Sequence, residues 1–225
     1  MNTKPLSEST EMYLKSLAEL GIFEPVAISR LAERLGVTPV SANEMIHKLT
    51  KQGSVTHHPY KGAVLTEKGR EVAVNVLRRQ RLWEVFLYDH LKIEWALVYE
   101  LACSLEHATA PVVTEALAEF LGNPSTCPRG NPIPKQDGMF GPLEGIPLSE
   151  VKIGGTVRVL AVTATATDVL KYLQKRNILP GREIEVIEAA LMQGPLTLQV
   201  DGKEEVLGLM LAEFVQVEMI ELGMK

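Results

Sequence analysis

Apolar residues keep two rhythms along this chain. Ile28, Leu31, Ala32 and Leu35 recur at the three- and four-residue spacing of a helical face, and Ala42, Met45, Ile46 and Leu49 repeat it. Gly36 supplies a stop for the first of these helices. Thr38 is a candidate N-cap for the second, and Pro39 suits its first turn. Val55-Thr56-His57-His58 can then pair with Ala63-Val64-Leu65 across a turn at Pro59–Gly62. From about 74 to 122 the texture is helical again, with few breakers. Residues 123–142, NPSTCPRGNPIPKQDGMFGP, are dense in Pro, Gly and Asn and predict a loop and linker. Beyond about 147 the rhythm shortens to strands: TVRVLAV, REIEVIEA, LTLQV, EEVLGL and FVQVEMI, separated by Gly-containing turns and by one helix, TDVLKYLQKR.

These elements predict an α+β multidomain chain. A winged helix-turn-helix covers residues 1–73, a helical segment 74–140, and a small SH3-like β-barrel 147–225. Hydrophobic residues make up 46% of the chain, with no run long enough to span a bilayer, so a globular protein that does not enter membranes is expected. The start of the chain lacks a signal-peptide pattern, and Cys103 and Cys127 are the only cysteines. Both features point to a reducing cytoplasm rather than a disulfide scaffold.

The net charge of -5 hides an asymmetry. Residues 1–81 carry 12 Lys and Arg against 8 Asp and Glu, whereas residues 82–225 carry 11 against 20. A basic head on an acidic body suits a DNA reader. The second helix of the helix-turn-helix would enter the major groove and read from its first turns. Thr38, Ser41 and Asn43 are therefore expected near base edges, and Pro39 and Ala42 among the DNA-binding residues beside them. Lys48, Lys51, Lys61 and Lys68 are expected at phosphates.

LACSLEHATA (101–110) holds a second set of candidates. On a helical wheel of about 100° per residue, Leu97, Val98, Leu101 and Leu105 define one face. Cys103, Glu106 and His107 fall on the opposite one, away from a leucine-lined core. Thiolate, carboxylate and imidazole together suit a first-row divalent metal. In the first helix Tyr13, Leu14, Leu17 and Leu20 form the core stripe, and Met12 points away from it. Met12 is either a fourth ligand or an exposed or interface methionine.

Four stretches make the chain resemble the diphtheria toxin repressor family of metal-dependent bacterial transcription regulators, over nearly its full length. They are STEMYL, VTPVSANEMIHKLTKQG with KGAVLTEKGREVA, LACSLEH, and CPRGNPIP. The segment with PLSEVKIGGTVRVLAV resembles the family's SH3-like, or FeoA-like, domain. The resemblance implies a homodimer that binds double-stranded palindromic operator DNA and represses metal-uptake genes. It implies that residues 74–140 carry metal binding and dimerisation, with Met12, Cys103, Glu106 and His107 as the regulatory ligands. Met and Cys in that set favour Fe2+ over Mn2+. The family often has a second, ancillary metal site, and here the chain departs from it. Gln80, Tyr99, Ala166 and Val169 stand where four of its five ligands would be, and only Glu84 is kept. The ancillary site is expected to be absent, or rebuilt with residues such as Glu100, leaving the third domain without its metal tether.

Three rivals remain at this stage. Cys103 could be a thiol redox sensor in a metal-free regulator. Cys103 and His107 could be nucleophile and base of an enzyme, although no oxyanion donors or substrate loop accompany them. The SH3-like domain could bind a peptide.

Overall fold

The structure, a computed structural model, describes residues 6–139, 141–191 and 194–220; the outermost residues of the first and third expected domains, 1–5 and 221–225, and Phe140 of the linker lie outside it. The chain divides into two compact units, residues 1–79 with 134–140, and residues 80–133 with 141–225.

The first unit opens with α1 (Glu8–Gly21), capped by Ser7, whose hydroxyl accepts from the Thr10 amide at 3.3 Å. Then come α2 (Ile28–Leu35), α3 (Pro39–Lys51), and a hairpin of β1 (Val55–His58) and β2 (Gly62–Leu65). Gly36 ends α2 in the left-handed conformation, φ 64°, as the Gly-containing turn requires. The hairpin forms where expected, but its turn is one residue shorter than expected: Gly62 belongs to β2 and pairs with His58, while Val55 pairs with Leu65. Val26 adds a bridge to Ala63 so close that a side chain at Gly62 would put its Cβ 2.0 Å from the Val26 carbonyl oxygen. One core joins these elements, with Leu14, Leu17, Leu31, Ile46 and Leu49 fully buried in it.

α1 departs from the single stripe expected of it. Residues 13–18 are buried without a break, Lys15 and Ser16 included, and Leu20 is only half-buried. α1 packs on α2 and β2, and Glu11 pairs with Arg79 of α4 (Glu67–Val85) at 3.0 Å, so it is enclosed on more than one side.

The second unit takes the end of α4, from Gln80, through a π-helical turn at Phe86–His90. A short 3-10 turn at Trp95–Leu97 leads into α5 (Val98–Glu106) and α6 (Pro111–Phe120). Six strands then form one antiparallel sheet: β3 (Ile146–Pro147), β4 (Thr156–Val162), β5 (Glu183–Ala189), β6 (Leu196–Val200), β7 (Lys203–Leu207) and β8 (Val215–Met219). Their spatial order is β3-β8-β4-β5-β6-β7. Helices α7 (Thr167–Lys175) and α8 (Leu209–Ala212) lie between strands in sequence. Trp95 and Ala96 share the sheet's apolar core, so the helical and sheet parts of this unit are packed on each other.

Candidate metal centre and nucleic-acid interface

In α3 the sequence folds as its cap and stripe dictate. Thr38 accepts from the Ser41 amide at 3.2 Å and its hydroxyl lies 3.0 Å from that of Ser41. Pro39 begins the helix, and Ala42, Ile46 and Leu49 anchor it inward. Pro39, Ser41, Lys48 and Lys51 are exposed, Asn43 is half-buried, and Lys61 stands exposed at the wing tip. Ala42 does not join them. It is fully buried, because the turn after Gly36 points its methyl into the core. It packs α3 on the core, a position that leaves its side chain no surface for a base.

Thr38 and Ser41 are partly committed to each other as a cap, which leaves the exposed face richer in groups the sequence pattern did not single out. His47 is exposed one turn after Asn43 and meets His57 of β1 edge-on, ring centroids 5.3 Å apart. Val40 is 69% exposed, and Tyr60 at the wing tip is fully exposed with φ 66°. The i, i+4 step from Asn43 to His47 was the available signal for the histidine. Lys68 donates to the Gln52 carbonyl at 2.9 Å and so braces the end of α3 while remaining exposed.

α5 turns a different face inward from the one the wheel assigns. The buried stripe is Val98, Ala102 and Glu106, whereas Leu101 and Leu105 are 41% and 36% exposed. The wheel took the longest apolar side chains for the core; the helix instead buries its small residues and one carboxylate. Glu106 has no exposed surface, and its Oε1 lies 3.5 Å from His107 Nε2. Cys103 and His107 are half-buried. Among the described residues no group of three or more His, Cys, Asp or Glu side chains is placed to hold a metal ion. Met12 lies half-buried on α1, in the first unit.

The donors fit a divalent cation. A carboxylate buried on an apolar helix face is costly unless a cation balances it. The C-terminal end of α5 adds the negative pole of the helix, which favours positive charge. A Cys103 thiolate would be a soft donor and the His107 imidazole a borderline one. Cys127, by contrast, is fully enclosed, and burial, with the neighbouring Glu84 carboxylate, pushes its thiol up to about 12. It stays neutral and inert.

The residues at the expected ancillary positions do not fit a metal. Gln80, Glu84 and Tyr99 gather around the Arg129 guanidinium. Ala166 caps α7, and Val169 packs on the sheet core. Glu100 accepts from the Thr167 hydroxyl at 2.7 Å. The third domain is therefore tied to the helical part after all, through side chains.

Comparison with known proteins covers most of the chain. Residues 5–63 match the iron dependent repressor N-terminal DNA binding domain, residues 66–135 the iron dependent repressor metal binding and dimerisation domain, and residues 146–219 the FeoA domain. The iron-dependent repressor IdeR of Mycobacterium tuberculosis is 30% identical over 216 residues, 89% of this chain and 92% of that one. The diphtheria toxin repressor of Corynebacterium diphtheriae is 28% identical over 233 residues, 96% and 99% of the two chains. A manganese-dependent transcriptional repressor in complex with manganese superposes with a TM-score of 0.84 at 30% identity, covering 94% of this chain and all of the other.

Proposed function

The chain belongs to the iron-dependent repressor family of metal-dependent transcriptional repressors, and from that premise we propose that it is a Fe2+-responsive repressor whose metal ligands are Met12, Cys103, Glu106 and His107. The observation that carries the reading is Glu106, a fully buried carboxylate beside His107 in a chain whose other unit is a basic winged helix. When bound, the ion supplies positive charge and open coordination positions that join these donors.

The residues divide the work as follows. Glu106 and His107 are already adjacent, so they form the start of the site. Cys103, one turn earlier on α5, must deprotonate to join, and His107 must be neutral, so loading weakens as pH falls. Met12 is the proposed ligand from the chain's first helix, and it is the one whose removal should cost the metal response. In the head, Ala42, Ile46 and Leu49 fix α3 to its core while Ser41 and Asn43 face the bases. Lys48, Lys51 and Lys61 neutralise phosphates.

Leu101, Leu105, Val112, Val113 and Phe120 leave α5 and α6 with exposed apolar surface in the region that matches a dimerisation domain. That surface supports a homodimer presenting two α3 helices to a palindromic operator. Among the described residues no helix is long and apolar enough to cross a membrane. We place the repressor in the cytoplasm, with the DNA.

Mn2+ is the second reading, favoured by the likeness to a manganese-dependent repressor. The Met12 and Cys103 donors favour Fe2+, since thioether and thiolate are softer than the carboxylates and carbonyls that suit manganese. Anaerobic titration of the purified dimer with each ion decides between them. Fe2+ is expected to bind more tightly, and Cys103→Asp to reverse the preference. Tighter Mn2+ binding by the wild type would assign the manganese role.

A further inference from the structure

Glu84 of α4 is completely buried, and so, to 1% of its surface, is Arg129 of the CPRGNP loop. The guanidinium takes the carboxylate side-on, Nε donating to Oε2 at 3.0 Å and Nη2 to Oε1 at 2.9 Å. Nη1 donates to the carbonyl oxygens of Val162 and Ala164, at 3.2 and 3.0 Å, where β4 ends. The Tyr99 ring of α5 covers the group, 4.6 Å from Cζ. One side chain thus touches α4, α5 and the sheet domain at once, all inside one compact unit.

We infer that Arg129 is the resident cation of this junction, and that its guanidinium, in place of any metal ion, fastens the sheet domain to helix α4 through Glu84. Isolated, either charge would be expensive at this depth; together they meet in the two-point geometry that a planar guanidinium and a carboxylate share. Burial works against the charged arginine, but the Glu84 carboxylate outweighs it and holds the guanidinium protonated. Both Glu84 oxygens are engaged, and the Cys127 thiol nearby stays neutral, so no anionic donor is left for a divalent ion.

The loop is held so that the guanidinium cannot swing out. The Arg129 carbonyl accepts from the Val162 amide at 2.8 Å, and Asn131 donates to the Val162 carbonyl at 2.9 Å. A Cβ at Gly130 would stand 1.9 Å from the Leu160 carbonyl oxygen, so only glycine lets the loop lie this close to β4. The Trp95 indole donates to the Pro128 carbonyl at 2.9 Å. Attachment of the sheet domain is therefore independent of metal, whichever ion the regulatory ligands take.

Hydrogen exchange on the full-length protein, stripped by chelator or loaded with Mn2+, tests this. Wild-type exchange over residues 156–175 should be the same in both states. Arg129→Ala should speed exchange there by about tenfold or more, because Glu84 is left buried without its cation, while residues 28–65 keep their protection. Glu84→Gln, which keeps the shape and removes the charge, should give a smaller increase in the same segment, and it carries the test if Arg129→Ala does not fold. Loosening of the wild-type segment by chelator alone, or wild-type exchange in Glu84→Gln, would overturn the inference.

Discussion

At the scale of single residues, burial separates groups that composition treats alike. The two cysteines are the plainest case. Cys127 is enclosed with its thiol pushed up to about 12, whereas Cys103 is half-buried on the ligand helix. Iodoacetamide at neutral pH should label Cys103 and spare Cys127, and bound metal should protect Cys103; mass spectrometry of the labelled peptides reads both. The Cys127 shift also sets a pH dependence. Its folded-state thiol keeps its proton where the unfolded one, near 9.0, has lost it. Stability is thus undiminished below about pH 9 and falls at higher pH by about 1.4 kcal/mol per unit until the folded thiol titrates. Urea melts at pH 10 and 11 should show that slope, and Cys127→Ala should flatten it. Ala42 shows the other side of burial. Its place in the sequence suggested a DNA contact, and its methyl is in the core. Ala42→Leu should cost about 1–3 kcal/mol by overpacking, whereas Ser41→Ala should leave stability within about 0.5 kcal/mol and weaken specific DNA binding.

At the scale of elements, local rules decided most of what the sequence made legible. The helix-turn-helix followed from a stripe, a left-handed glycine and a threonine cap, all of which act within a few residues. The wing hairpin and the strands after residue 147 were readable for the same reason, although the wing turn proved one residue shorter than expected. The face of α5 was not. A wheel ranks positions by size and apolarity, but a helix beside an interface or an ion site can bury Val98, Ala102 and Glu106 and leave two leucines outside. The Arg129–Glu84 pair was equally invisible, since its partners are 45 residues apart and meet only through the fold. The proposed dimer gives these leucines a use. Leu105→Asp or Phe120→Asp should convert the dimer to monomer in analytical ultracentrifugation with little change in far-UV circular dichroism, because both side chains are exposed in the single chain.

At the scale of the whole molecule, the charge asymmetry acquires a location. The basic excess lies in the unit with α3 and the wing, and the acidic excess in the unit with α5 and the sheet. Replacing Lys48, Lys51 and Lys61 together by Ala should lower the slope of log affinity against log salt by about 3 per subunit, with little change in base preference, as befits phosphate contacts. The proposed coupling of metal to DNA rests on Met12 acting as a ligand together with Cys103, Glu106 and His107. The most direct test is anaerobic fluorescence anisotropy on an operator duplex enriched from a random pool, with and without Fe2+, for wild type beside Met12→Ala. The wild type should tighten by about 5- to 150-fold on adding metal, the range of ordinary allosteric coupling, while Met12→Ala keeps the metal-free affinity and loses most of the gain. Equal wild-type affinity in the two states, or a full gain in Met12→Ala, would contradict the account.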